Sequence, residues 1–165
     1  MIFCTGNPQK KTIAHALGCD HASLSSGWDF LTLDTINRFQ NTIINYQVFV
    51  NSSYIAPGVQ LNLLNATIKA WMAKDIRGHV INIGTTLSDN SEYCLDKQKL
   101  KARSLELSDQ TGITGIKTTY LSLGGVDTGE VSTNDLVSPK NISKTIKWII
   151  EQDSRFPLIQ MEGIK

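Results

Sequence analysis

The feature that narrows the fold most is an alternation. Along the 165-residue chain, short apolar runs of strand length are separated by stretches whose apolar residues recur at helical spacing. "MIFCTG" is an apolar run closed by Gly6. "PQKKTIAHALG" follows with Ile13, Ala14 and Leu17 at helical spacing and stops at Gly18. "HASLSS" is a weak second strand, and "WDFLTLD" is a third strand or an extended loop. "DTINRFQNTIINY" repeats Ile36, Phe39, Ile43 and Ile44 on one helical face, with Asp34 as N-cap. "QVFVNSS" is a β-branched run of strand length. "GVQLNLLNATIKAWMAKDIRG" is a long helix with a stripe of Leu61, Leu64, Ile68, Trp71 and Met72. "HVINIGTT" is nearly continuous in apolar residues, as expected of a strand covered on both faces. A helix over about 90–110 follows, then a strand in "GIKTTYLSLGG". A helix in "SPKNISKTIKWIIEQD" turns Ile142, Ile146, Ile149 and Ile150 inward, and "FPLIQMEGI" holds a last strand.

Strand–helix alternation of this kind predicts an α/β fold: a doubly wound parallel sheet, Rossmann-like, with helices on both faces. No repeat, low-complexity tract or Pro/Gly-rich linker interrupts it, so residues 1–165 read as a single domain. In such sheets a ligand binds at the carboxyl ends of the strands. The segments to inspect are therefore 6–12, 25–26, 51–54, 84–86 and 123–128.

Charge narrows the partners. The formal net charge is +1, with no basic field to attract nucleic acid or an anionic membrane surface. No apolar run reaches membrane-spanning length, and no signal peptide is visible. Cys4, Cys19 and Cys94 are far apart in sequence, form no CxxC and join no His/Cys cluster of metal-ligand spacing. No metal site is expected. The cysteines read as reduced, at least half-buried thiols of a cytoplasmic protein.

The chemistry concentrates in "SEYCLDKQKLKARSLEL", residues 91–107. Tyr93 and Lys97 stand four apart, on one face of the expected helix. If both point into a cleft, the ammonium favours phenolate and lowers the tyrosine pKa. The phenol then exchanges a proton with a carbonyl or alcohol oxygen near neutral pH. An exposed aromatic stacked on a lysine stem is the other reading of the same letters.

Order separates the two. The pair follows a strand ending in Thr85 and Thr86 and precedes "SLGGVDTG". With Gly6 after the first strand, Asn51 after the third apolar run and Asn62 in the long helix, this order resembles the short-chain dehydrogenases/reductases. The likeness is best over about residues 47–128. The resemblance implies an NAD(P)-dependent oxidoreductase acting on a small carbonyl or alcohol. Tyr93 would be its general acid/base, Lys97 its partner, and Thr85 (or Thr86) the substrate-orienting hydroxyl. Asn62 would complete a proton relay. It also implies cofactor contacts at Gly6, Lys10, Lys11, Thr12, Ser25, Asn51, Tyr93, Lys97, Gly124 and Thr128. Lys10 and Thr12 replace two glycines of the first turn, Tyr54 replaces the glycine of the Asn-Asn-Ala-Gly strand end, and Leu123 a proline. Ser25 and Ser26, with no acid beside them, favour NADP over NAD. The resemblance further implies a homodimer or homotetramer through the helices near 58–77 and 90–110, with Trp71, Leu100 and Leu107 at or behind that surface. A non-catalytic nucleotide-sensing or protein-binding module on the same scaffold is the alternative.

Overall fold

The structure, a computed structural model, describes residues 1–6, 12–126 and 136–163. Its elements alternate as the sequence predicts: β1 (Ile2–Thr5), α1 (Ile13–Leu17), β2 (Asp20–Ala22), α2 (Leu33–Ile43), β3 (Val48–Asn51), α3 (Val59–Ala73), β4 (His79–Thr85), α4 (Glu92–Asp109), α5 (Thr111–Thr114), β5 (Lys117–Leu123), α6 (Pro139–Glu151) and β6 (Leu158–Met161). The six strands form one sheet in the order β2-β1-β3-β4-β5-β6, every neighbouring pair parallel. This is the Rossmann-like sheet expected from the alternation.

Both faces are covered. On one, α1 and α6 bury Ala14, Leu17, Ile142, Ile146 and Ile149 against Cys4, Val50, Ile81 and Leu121. On the other, α2, α3 and α4 bury Phe39, Leu63, Trp71 and Leu100 against Phe3, Phe49, Val80 and Tyr120. Trp71, Leu100 and Leu107 are all buried within the chain's own core. The Trp71 indole N–H also donates to the Ile43 carbonyl at 3.0 Å, tying α3 to the end of α2.

Three local expectations are corrected. "WDFLTLD" holds no strand: Leu24–Ser26 is a 3₁₀ turn, and Trp28–Thr32 runs irregularly into α2. The N-cap of α2 is Thr32, whose Oγ1 accepts from the Thr35 N–H at 3.3 Å, while Asp34 lies in the first turn. There its charge still complements the helix dipole. On α3, Met72 is exposed and Leu61 only partly covered. The buried face runs instead through Gln60, Leu63, Leu64, Thr67, Ile68 and Trp71.

The three cysteines are free thiols, Cys4 and Cys94 buried and Cys19 partly so. Among the described residues no helix is long and apolar enough to cross a membrane, and no group of His, Cys, Asp or Glu is placed to hold a metal.

Candidate active site

Strand order places the site. The chain runs outward from β1 to β2, then returns to the other side of β1 as β3. The carboxyl ends of β1 and β3 therefore flank a topological switch point. Register sets the depth: Thr5 pairs with Asn51 and Asn51 with Asn82, whereas β4 and β5 continue to the Thr85–Leu123 pair. The Thr85 end of β4 thus overhangs the β3 tip by three residues, roughly 10 Å.

At the switch point, the backbone of β1 is held against the turn after β3. Ser52 Oγ donates to the Thr5 carbonyl, and Thr5 Oγ1 accepts the N–H groups of Ser52 (3.0 Å) and Ser53 (3.3 Å). Gly6 follows with φ +146°, and a Cβ there would lie 3.1 Å from Ser52 Oγ. The missing side chain keeps this edge of the crevice open.

Asp96 joins α4 to the start of α3. It is buried, and its Oδ1 accepts the Gly58 N–H at 2.8 Å, where Gly58 turns through φ +80° before α3 begins. That anchors Gln60, in the first turn of α3, beside the strand ends. Gln60 Nε2 donates to the Asn51 carbonyl at 2.7 Å, and Lys97 Nζ donates to Gln60 Oε1. Asn51 Nδ2 donates to the Gln60 carbonyl (2.8 Å) and to Asn82 Oδ1 (2.9 Å), and Asn82 Nδ2 to Ser104 Oγ (3.2 Å). A buried chain of polar groups therefore runs from Lys97 through Gln60, Asn51 and Asn82 to Ser104. Asn51 Oδ1 is the buried acceptor in it that has no partner among the described residues.

Lys97 is 3% exposed, yet its side chain makes no ion pair with a carboxylate among the described residues. Its ammonium donates to Gln60 Oε1 and to the Ile83 carbonyl at 3.0 Å, and lies 5.3 Å from the centre of the Tyr93 ring. Burial pulls its pKa down to about 8 against the opposing pull of Asp96. Tyr93 is half buried, and burial pushes its pKa above the usual phenol value, with Cys94 and Tyr54 adding to the rise. The expectation that Lys97 lowers the Tyr93 pKa is therefore corrected. Desolvation of the phenol dominates, and the ammonium is already engaged by two acceptors.

Tyr54 covers the pair. Its ring packs edge-on to Tyr93 with centroids 4.9 Å apart, and Lys97 Nζ lies 5.5 Å from its centre. On the β5 and β6 side of Lys97, a cavity of about 350 Å³ opens between α4, the ends of β4 and β5, and the end of β6. Thr85, Lys97, Lys101, Tyr120, Ser122 and Glu162 line it; Tyr93 does not. The floor depends on Gly84, because a Cβ there would lie 1.9 Å from the Tyr120 ring. Tyr120 in turn donates to the Lys97 carbonyl at 3.2 Å, and burial pushes its pKa up to about 12.

The structure thus brings Tyr93, Lys97, Thr85 and Asn51 to the strand ends. Asn62 is not there: it is exposed on the outer face of α3, and Gln60 makes the contact with Lys97. Thr12 caps α1 by accepting the His15 N–H. Ser25 lies in a knot of hydroxyls, Ser23 Oγ meeting Ser25 Oγ at 2.9 Å and Ser26 Oγ at 3.0 Å. The Gly124 N–H donates to the Met161 carbonyl at 2.8 Å. Lys10, Lys11 and Thr128 lie outside the described residues. Gln60, Asn82 and Tyr54 enter the site from the structure. Gln60 carried a usable signal, since it shares a helical face with Leu63, Leu64 and Thr67 while Asn62 falls with Asn65 and Lys69.

No family model and no curated protein matches the chain by sequence. Its backbone does match solved structures. A short-chain dehydrogenase from Leptospira borgpetersenii, solved with bound NAD+, superposes with a TM-score of 0.77 at 13% identity, over 98% of this chain and 91% of that one. A serine dehydrogenase complexed with NADP+ gives 0.74 at 15%, over 99% and 95%. A metagenomic short-chain oxidoreductase in complex with NADP gives 0.72 at 16%, over 98% and 96%. The chain has the fold of the short-chain dehydrogenases/reductases.

Proposed function

We propose that the protein is an NAD(P)-dependent oxidoreductase acting on a small carbonyl or alcohol. The observation that carries this reading is Lys97: a buried ammonium with no carboxylate partner among the described residues, beside a tyrosine ring and a cavity at the strand ends. A buried charge left unpaired by carboxylate is costly, and such groups concentrate where chemistry uses them.

The residues present fit a dinucleotide along most of the crevice. Gly6 leaves room at the β1 tip, and Asn51 stiffens the β3 tip behind it. The hydroxyls of Ser23, Ser25 and Ser26 stand after β2, and Arg38 reaches the Gly27 carbonyl beside them at 2.8 Å. Hydroxyls and a guanidinium suit a 2′-phosphate, which favours NADP; NAD is the second choice. When bound, the nicotinamide supplies the hydride acceptor or donor. Tyr93 moves the proton at the substrate oxygen, Lys97 replenishes it, and Gln60 holds the lysine in place. Thr85 orients the substrate from the cavity wall. Tyr54 must leave the Tyr93 ring, and the phenol must turn toward the cavity that Thr85 lines, before any substrate oxygen reaches it. The unpaired thiols suit a reducing cytoplasm.

Titrating the intrinsic tryptophan fluorescence with NADPH and NADH tests the reading. Binding is expected, tighter for NADPH, and Tyr93→Phe is expected to cut turnover about 100-fold or more without loss of stability. Absence of binding at millimolar cofactor overturns it. Tyr54 favours a second reading, a non-catalytic nucleotide-sensing or protein-binding module, because its ring closes over the pair. Cofactor binding with no turnover on any alcohol or carbonyl would select it.

A further inference from the structure

Proton transfer does not account for the charges around the cavity beside Thr85. Lys101, one helical turn beyond Lys97 on α4, lines it and forms no ion pair with any described residue. Glu162, just past the end of β6, lines it too. Among the described residues its Oε1 accepts the Gln160 amide, at 2.7 Å, and no cation neutralises it. A positive and a negative group therefore stand on different walls of one small cavity without satisfying each other. The floor between them is polar: Ser122 Oγ donates to the Thr85 carbonyl at 2.9 Å and keeps its acceptor lone pairs, and Thr85, whose Oγ1 accepts the Leu87 N–H at 3.1 Å, lines the same space.

This arrangement selects by charge. A neutral alcohol engages neither charge. A simple hydroxy acid meets repulsion from Glu162, and a simple amino alcohol meets Lys101 and the Lys97 ammonium. A molecule carrying both signs satisfies each wall, and a volume of about 350 Å³ admits a small one. We infer that the cavity binds a small hydroxylated zwitterion, an α-amino acid bearing a side-chain hydroxyl, with its carboxylate at Lys101, its ammonium at Glu162 and its hydroxyl toward Thr85. The place of the hydroxyl rests on the oxidoreductase reading; the capture of the two charges does not.

Calorimetric titration of the full chain with L-serine, 3-hydroxypropionate, ethanolamine and n-propanol separates these terms. L-Serine is expected to bind at least about tenfold more tightly than the other three. Lys101→Met and Glu162→Gln are each expected to weaken serine about tenfold, the first erasing its advantage over ethanolamine and the second its advantage over 3-hydroxypropionate. Both side chains reach solvent, so the variants keep the core intact. Propanol binding as tightly as serine, serine binding unchanged in both variants, or no binding of any probe at tens of millimolar overturns the inference. Serine binding that obeys both variants but gives no hydride transfer supports the zwitterion site and counts against the oxidoreductase reading, which absence of NADPH and NADH binding overturns.

Discussion

Tyr54 sets the accessibility of the reacting groups. Its ring meets Tyr93 at 4.9 Å and shields Lys97, where the resemblance places a glycine. Tyr54→Gly is expected to tighten NADPH binding about tenfold, or ~1.4 kcal/mol, because the cofactor no longer has to displace the ring. The edge-on contact is lost, so stability should fall by about 1 kcal/mol in the same variant, read by urea unfolding. Lys97 gives a sign-specific pH signature. The unfolded chain holds its proton up to pH 10.5, while the folded chain releases it near 8. Across that window the unfolded state binds more protons, so stability rises with pH, by up to roughly 3 kcal/mol. Comparing wild type with Lys97→Met at about pH 7.5 and about pH 10 isolates this term, since the variant should lack the rise. The Tyr93–Lys97 pair was legible because a four-residue spacing survives any helix. Asn62 fits the resemblance by residue type alone, and its place on the helix is the wrong one. The burial of Leu63, Leu64 and Thr67 puts Gln60 inward and Asn62 outward.

At the scale of elements, β4 and β5 carry the site at one end and a second buried group at the other. His79 opens β4, and its Nε2 lies 2.8 Å from Thr119 Oγ1 on β5. Burial, with help from Lys117, lowers its pKa to about 4. As pH falls from 6.5 toward 4, the unfolded chain takes up this proton first, so stability drops across that window by up to roughly 3 kcal/mol. Replacing His79 with Gln should flatten that slope in urea unfolding curves, and an unchanged slope would assign the acid sensitivity elsewhere. At the other end, Gly84→Ala forces a Cβ into the Tyr120 ring and should cost about 1–3 kcal/mol while loosening the cavity floor. Strands and helices were legible because their apolar periods differ and both faces of the sheet are covered. "WDFLTLD" misled because Trp28 and Phe30 are apolar for packing rather than for pairing. Their rings join an aromatic cluster with Phe3 and Phe39. The α2 cap was misplaced because Thr32 and Asp34 both suit an N-terminus, and the backbone geometry chose Thr32.

For the whole molecule, the sheet accounts for the inner faces of α3 and α4 and leaves their outer faces open. Trp71, Leu100 and Leu107 are consumed by the chain's own core, so any self-association must use other residues. Asn65, Ile68, Lys69, Met72 and Arg103 line an open groove of about 610 Å³ between the two helices. Arg103 bonds Asn65 Oδ1 at 3.1 Å and Glu106 at 2.7 Å, which fixes one wall of the groove. Met72 is the large apolar side chain at that groove that is more than half exposed, and on an isolated chain it gains nothing there. A two-fold axis through the groove would set α3 and α4 against their copies, and each Met72 would be covered by a partner surface of the same composition. Sedimentation velocity at high micromolar concentration is expected to show a species at least twice the 18.2 kDa of one chain. Met72→Lys would add like charges to a groove that already holds Lys69 and Arg103, and should return the protein to the monomer without altering urea unfolding, because the side chain contributes little to the core. A wild-type monomer at that concentration, or a dimer indifferent to Met72→Lys, would move the interface away from α3 and α4.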